Sequence, residues 1–346
     1  MIACKTLLIT GGTGSFGKTM LFKLLRDSKI PRIIVYSRDE QKQYFLKESL
    51  QKKFQKRVRF FIGDVRDEKR LNQAMCGVDV VVHAAAMKIV VTAEYDPFEC
   101  VKTNVLGAQN IVSASIENKV KNVIVLSTDK ASNPINLYGA TKLVADKIFV
   151  ASNHLAGKLK TRFSVVRYGN VLGSRGSVLN VFLEQSKNNN KEFTITDKRM
   201  TRFFITVNQG VDFVIKCLKI MKGGEIFIPK IPSMKITDLS KAINPKFSLK
   251  VIGIKPGEKI HEVLITKNDS RNTIEFNDFF IIKPEIIFSD YRDEKYPEKF
   301  KSVKDGFEYS SDTNRVWLNE NKIKKLVENF VNLKTTNEIW QNNSNN

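Results

Sequence analysis

Short apolar runs at Thr6–Thr10, Arg32–Tyr36, Val58–Ile62, Val78–His83, Asn122–Ser127 and Phe163–Arg167 alternate with segments long enough for a helix. Runs this short and this apolar fit strands buried on both faces, and a helix between successive strands closes each parallel crossover. The pattern predicts an α/β fold, a doubly wound parallel sheet of the Rossmann kind. One connecting helix is legible in detail. Asp96-Pro97 opens a segment from Phe98 to Asn118 in which Val101, Val105, Ala108 and Val112 recur at helical spacing, with Pro suited to the first turn.

From about Gly169 the rhythm gives way to Gly, Ser and Asn loops at Gly173–Ser177 and Asn188–Asn190. A helix at Val207–Met221 follows, then turn-rich segments carrying Pro229, Pro232 and Pro256. A chain of 346 residues has room for two domains. Residues 1–170 are expected to form a dinucleotide-binding domain, to which a helix near 205–221 returns. Residues 171–204 and 222–335 are expected to form a smaller, irregular substrate-binding region over the C-terminal edge of the sheet, where open α/β sheets take their ligands. The polar residues 336–346 read as a disordered tail.

Charge and cysteine usage bound the function classes. The 57 basic against 36 acidic residues leave +21, a balance that can mark a nucleic-acid partner. The lysines are scattered rather than gathered, so compositional drift is the preferred reading, and a positive cleft also suits anionic cofactors and sugar nucleotides. Cys4, Cys76, Cys100 and Cys217 form no CxxC pair, and His83, His154 and His261 show no ligand spacing. They point to buried thiols in a reducing compartment rather than to zinc or disulfides. Lys5–Thr10 is too short for a signal segment, and no apolar run approaches the roughly 18 residues of a membrane span. The expectation is a soluble, cytoplasmic protein.

Gly11-Gly12-Thr13-Gly14-Ser15-Phe16-Gly17 follows the first strand directly and opens a helix from Lys18 to Arg26. Glycines at 11, 14 and 17 permit a tight turn, close approach of backbone N–H groups to a pyrophosphate, and close helix–sheet packing. Cofactor choice turns on the end of the second strand. Ser37 and Arg38 offer a hydroxyl and a guanidinium to a 2′-phosphate, which favours NADP, while the adjacent Asp39 keeps NAD as the alternative. Asp64, followed by Val65 after the third strand, would bring a carboxylate near the adenine amine. Ala84-Ala85-Ala86 after the fourth lets the backbone approach the cofactor.

Tyr138 and Lys142 stand four apart on an apolar-periodic helix and so project from one face. A free phenol, pKa about 10, is a poor base at neutrality, but a neighbouring ammonium and a cationic nicotinamide favour its phenolate. Tyr138 could then take a hydroxyl proton, with Thr128 donating to the same oxygen. Asp129-Lys130 suits elimination of water beside a newly made ketone, with an acid for the leaving hydroxyl and a base for the acidified C–H. The ordinary acidities of an aspartic acid and a lysine set the neutral acid/amine pair about 9 kcal/mol above the ion pair in water, and burial offsets that cost.

At these residues the chain resembles the inverting UDP-N-acetylglucosamine 4,6-dehydratases, soluble first enzymes of bacterial pseudaminic acid biosynthesis within the extended short-chain dehydrogenases/reductases. The resemblance runs from Lys5 to Glu285 through Thr10–Gly17, Tyr36–Glu40, Phe60–Asp67, Leu126–Ala131, Asn133–Lys142, Ser164–Asn170, Gly173–Ser177, Met200–Phe203, Pro229–Met234 and Pro256–Glu258. It implies Lys130 as the base at C5 and Asp129 as the acid at O6, with Tyr138 and Lys142 running the redox half. It further implies cofactor contacts from Gly11, Thr13, Gly14, Ser15, Phe16, Gly17, Val65, Ala85, Lys88 and Val171. Substrate contacts are implied for Lys88, Asn170, Arg202, Lys255 and Glu258, with Arg202 facing the diphosphate. Retaining relatives typically carry Asp-Glu in place of Asp129-Lys130, and the family is typically oligomeric.

Two departures stand out. Ile89-Val90-Val91 replaces the usual His-Val-Pro after Met87-Lys88, removing a polar ring and a rigid proline. Lys255 replaces an Arg before Pro-Gly-Glu, keeping the charge but losing bidentate geometry. Two alternatives stay open: a nucleotide-sugar 4-epimerase, which needs the Tyr/Lys pair but no acid/amine pair, and a cofactor-binding regulator using a basic surface on nucleic acid.

Overall fold

The computed structural model describes residue 2 and residues 4–174, 176–187, 191–286 and 296–343. The expected loop at Asn188–Asn190 lies outside the described residues, as do the last three residues of the expected tail. The chain divides into two compact units. The first comprises Met1–Tyr168, Val207–Lys230 and Val263–Glu308, and the second Gly169–Thr206, Ile231–Glu262 and Tyr309–Asn346.

In the first unit the chain runs β1 (Thr6–Thr10), α1 (Ser15–Asp27), β2 (Arg32–Ser37), α2 (Glu40–Glu48), β3 (Val58–Ile62), α3 (Glu68–Met75) and β4 (Val80–His83). It continues through α4 (Gly107–Glu117), β5 (Asn122–Thr128), α5 (Leu137–Ala156) and β6 (Arg162–Tyr168). These strands order as β3-β2-β1-β4-β5-β6, all parallel, and the parallel strand Ile226–Pro229 follows β6. Strand order reverses between β1 and β4, the crevice where such sheets bind dinucleotides. The inner apolar runs are strands because their side chains find cover on both faces, as in β1 and β4, which are buried throughout, while the edge strand β3 leaves Arg59 and Ile62 exposed.

The sheet extends further than the sequence suggested. Phe279–Ile282 pairs antiparallel with Ile226–Pro229, and Thr273–Glu275 and Lys301–Ser302 add to its edge. Residues 263–308 therefore belong to the first unit, not to the region assigned from 222 to 335. The segment around Asp96–Asn118 also departs from one regular helix. Pro97–Val101 passes into a π-helical turn, Lys102–Leu106, before α4 begins. A π turn absorbs an extra residue and turns a side chain aside, here Asn104, which bonds the backbone of Met87.

The second unit holds a three-stranded sheet of Asn170–Val171, Thr201–Ile205 and Ser233–Lys235, plus a parallel pair, Glu192–Ile195 with Ser248–Val251. Leu179, Phe182, Phe193, Phe204, Leu239 and Ile323 form its core. Ile323 and Val327, four apart, seat a helix spanning Glu320–Asn343, so residues 336–343 are helical where a disordered tail was expected. Cys100 and Cys217 are buried, but Cys76 at the end of α3 is exposed, so the expectation of buried thiols fails there. No helix of the described residues is long and apolar enough to cross a membrane.

Candidate active site

The loop from β1 to α1 is backbone packed on backbone. Gly11 has φ +64°, and a Cβ there would lie 2.9 Å from Ala84 C and Ala85 N, so only glycine permits this approach. The Thr10 hydroxyl accepts from the N–H groups of Ala84 (3.1 Å) and Ala85 (3.3 Å). Its own proton is then directed to His83 Nδ1, 2.7 Å away. Burial, reinforced by the Lys142 charge, pushes His83 down to about 3, so the ring is a neutral acceptor. No side chain caps the start of α1 at Gly14. The first N–H groups of α1, at Ser15, Phe16 and Gly17, are thus left to a ligand such as a dinucleotide pyrophosphate, and the neighbouring Thr13 is buried.

At the end of β2, Ser37 Oγ accepts from Gln43 at 3.0 Å, and the Arg38 guanidinium is 60% exposed, 3.5 Å from Asp64. Asp39 is otherwise occupied. It caps α2 by accepting from Lys42 N at 2.8 Å and pairs with the Lys42 ammonium. Asp64 is held by Arg66 through N–H and guanidinium contacts of 3.0 and 2.7 Å. Burial pushes its carboxyl up, but those bonds outweigh it and leave the group below the usual carboxylate range. Val65 is buried, its carbonyl accepting from Asn110 at 3.1 Å.

The reactive groups gather where β5 ends. Thr128 caps a single 3₁₀ turn, Asp129–Ala131. Asp129 is 0% exposed, and its Oδ1 accepts from Lys130 Nζ (3.0 Å) and Thr128 Oγ1 (2.9 Å). Its Oδ2 is buried without a hydrogen-bond partner among the described residues, an acceptor left for something else. Asn136 caps α5 by accepting from Gly139 N at 2.7 Å. Gly139 matters for a second reason: a Cβ there would run into the Lys130 carbonyl oxygen, so the missing side chain lets α5 close on the turn.

Burial pushes the Tyr138 phenol up to about 12, while the Lys130 charge and a hydrogen bond with Thr128 pull the other way. The Lys130 ammonium is the charge that opposes burial at the phenol. Spacing of four puts Tyr138 and Lys142 on one face of α5, yet Lys142 runs inward and donates to Leu126 O at 2.7 Å. Burial lowers its pKa, countered by the Asp146 carboxylate one turn on.

In the second unit, Asn170 Oδ1 and Glu258 Oε2 are likewise buried without a hydrogen-bond partner, which keeps both available to a ligand. Arg202 differs from expectation. It is 9% exposed and donates to the carbonyls of Thr201 (2.7 Å), Lys259 (2.8 Å) and Ile260 (2.9 Å), with Glu262 at 3.7 Å. Its guanidinium holds protein backbone where a diphosphate contact was expected. Lys255 is exposed on its loop, Lys88 is exposed after β4, and Val171 pairs with Ile205. Ile89 and Val91, the departures from the family pattern, are exposed, Ile89 at the N-cap and Val91 in the first turn of a short helix, Val90–Tyr95.

Sequence reasoning missed four contributors. Thr10 and His83 looked like strand ends. Asn104 looked like one helical residue among many, although its amide also donates to Thr141 at 3.1 Å between Tyr138 and Lys142. Asp146 had a readable signal, an acid four residues after Lys142 on an apolar helix. No cluster of potential metal ligands occurs among the described residues.

A Rossmann sheet ordered 3-2-1-4-5-6, an uncapped glycine loop, and a Tyr/Lys pair on the helix after the fifth strand define an extended short-chain dehydrogenase/reductase fold. The chain belongs to the polysaccharide biosynthesis protein family, whose model matches residues 7–284. An inverting UDP-N-acetylglucosamine 4,6-dehydratase of Campylobacter jejuni is 54% identical over 327 residues, 93% of this chain and 97% of that one. A UDP-glucose 4-epimerase of Rickettsia akari is 40% identical over 94% of this chain and 96% of that one. The X-ray structure of Pen from Bacillus thuringiensis superposes with a TM-score of 0.85 at 39% identity, covering 95% of this chain and 98% of that one.

Proposed function

We propose that the chain is a lyase that removes water from UDP-N-acetylglucosamine across C5–C6, with NADP as cofactor and inversion at C5. The product is UDP-2-acetamido-2,6-dideoxy-β-L-arabino-hex-4-ulose. One observation carries this reading: Asp129 is wholly buried, with one oxygen on the Lys130 ammonium and the other without a hydrogen-bond partner among the described residues, beside the Tyr138 phenol. An epimerase has no use for that pair. The 54% identity to the Campylobacter jejuni dehydratase supports the same choice.

When bound, the nicotinamide cofactor supplies oxidation at C4 and reduction at C6. The protein moves the protons. Tyr138, whose ionised form the Lys130 charge favours against burial, takes the proton of O4. With C4 a ketone, the C5–H becomes acidic and the Lys130 amine removes its proton. Asp129, protonated, gives its proton to O6 as the C6–O6 bond breaks and water leaves. The neutral acid/amine pair is one proton transfer from the ion pair across 3.0 Å. The proposal extends to pseudaminic acid synthesis and flagellin glycosylation, by a cytoplasmic homo-oligomer.

Isotope labelling tests the reaction. In D₂O the product should carry deuterium at C5, C4-deuterated substrate should yield product labelled at C6, and the first product should be the L-arabino sugar. A D-xylo first product would show retention. A 4-epimer formed without dehydration would favour the second reading, a nucleotide-sugar epimerase, which the 40% identity to the Rickettsia akari protein supports.

Cofactor choice has its own test. Arg38 is exposed and only 3.5 Å from a carboxylate already held by Arg66, so it is available to a 2′-phosphate. Arg38→Ala should weaken NADP binding by ~1.5–3 kcal/mol, the worth of a charge-assisted contact, and leave NAD nearly unchanged. Equal loss for both cofactors in a titration would remove Arg38 from 2′-phosphate recognition.

A further inference from the structure

The turn that presents Asp129 and Lys130 is flanked by two buried serines, Ser127 and Ser132, and both lead to one guanidinium. Arg167 lies opposite Ser127 in the β5–β6 register. Its Nη1 donates to Ser132 Oγ at 2.9 Å and to Leu264 O at 3.3 Å, and Ser132 Oγ donates in turn to Leu264 O at 3.1 Å. Its Nη2 donates to Asp146 Oδ2 at 3.2 Å, and the same oxygen accepts from Ser127 Oγ at 2.8 Å. The Asp269 carboxylate stands 3.9 Å from Nη1. The Arg167 and Asp146 side chains are 3% and 1% exposed.

This cluster is a poor device for stability. Arg167 Nε and Asp146 Oδ1 are buried without hydrogen-bond partners among the described residues, so both ions lose water and regain only part of it. Apolar residues of similar volume would fill the space at less cost. What apolar residues cannot do is fix two points of a turn at once, which a planar guanidinium with several N–H groups in fixed directions does well. Asp146 also lies one helical turn from Lys142, whose charge it supports. One buried pair thus touches both ends of the acid/amine turn and the lysine of the redox half.

We propose that Arg167 is a positioning residue: through Ser132 directly, and through Asp146 to Ser127, it fixes the Thr128–Ala131 turn and so sets where the Asp129 carboxyl and Lys130 amine stand. Its bearing on elimination rests on the function proposed above, whereas its hold on the turn does not. Arg167 itself reaches no reacting atom. Its effect should appear in the elimination step and spare oxidation at C4.

Ser132→Ala removes one oxygen from the linkage and leaves the Arg167–Asp146 pair intact, so it should fold. In the full-length variant the Lys130 amine, measured by mass spectrometry after a brief pulse of an acylating reagent, should react severalfold faster than in the unmodified protein, with Lys142 unchanged. Exchange of the substrate C5 proton with D₂O should fall by roughly tenfold or more, the scale of a displaced general base, while C4 oxidation stays within about twofold. Arg167→Lys, which keeps the charge but not the fork, should reproduce the pattern rather than restore it. Unchanged Lys130 reactivity in Ser132→Ala would overturn the proposal, as would an equal fall in both partial reactions or full activity in Arg167→Lys. If the unmodified protein performs neither partial reaction on UDP-N-acetylglucosamine, the proposed function falls, and Lys130 reactivity alone decides whether Arg167 holds the turn.

Discussion

Tyr138→Phe is expected to lower turnover of UDP-N-acetylglucosamine by ~10²–10⁴-fold, the range of a lost general acid–base group. The ring packs with Ala93 and Cys100, so Phe keeps that contact and removes only the proton acceptor. Thr128 then retains Asp129 Oδ1 as its partner, and the acid/amine turn should stay in place. Substrate affinity should barely move, which equilibrium titration can check alongside the steady-state rate. Near-normal turnover would remove Tyr138 from the mechanism.

Lys130→Ala should separate the two halves of the reaction. Without the amine, C4 is still oxidised but the C5 proton stays, so reduced nicotinamide absorbance or a 4-keto hexose should accumulate on the enzyme. Release of the final product should fall by ~10²-fold or more. The structure adds a second consequence, because Lys130 is the charge that pulls the Tyr138 phenol down against its burial, which has raised it to about 12. Removing that cation raises the phenol further, so the remaining C4 oxidation should need a higher pH than in the unmodified enzyme. If binding is intact and no partial reaction occurs at any pH, Lys130 acts earlier than proposed.

The parallel half of the fold was legible because strands covered on both faces appear in sequence as unbroken Ile, Val and Leu runs, and β1 to β6 fall within two residues of those runs. Phe279–Ile282 is just as apolar and just as buried, but Asn, Asp and Pro residues around it read as turns, and its antiparallel partner lies about 50 residues earlier. Periodicity could not reveal the π turn at Lys102–Leu106, since one extra residue in a helix shifts the phase without interrupting the apolar pattern. Within the site, sequence named the reactive residues and paired Asp129 with Lys130, but missed the bearing of the Lys130 charge on the phenol. Only side-chain direction shows Lys142 turned to Leu126 O. Arg202 shows the same limit. A cation in a ligand motif and a cation bonding three carbonyls are spelled alike.

The empty position at Gly139 gives the catalytic chemistry an unequal capacity to change. Residues 129 and 130 project their side chains from a short turn, so a single substitution there can exchange one proton-transfer group for another with little disturbance of the scaffold. Residue 139 offers no such freedom, because any methyl group must displace the carbonyl of Lys130 and thereby part the phenol from the acid and amine together. A change of proton-transfer group is open at the turn and closed at the helix position. The clearance between them is the portion of the site that descendants must inherit whole.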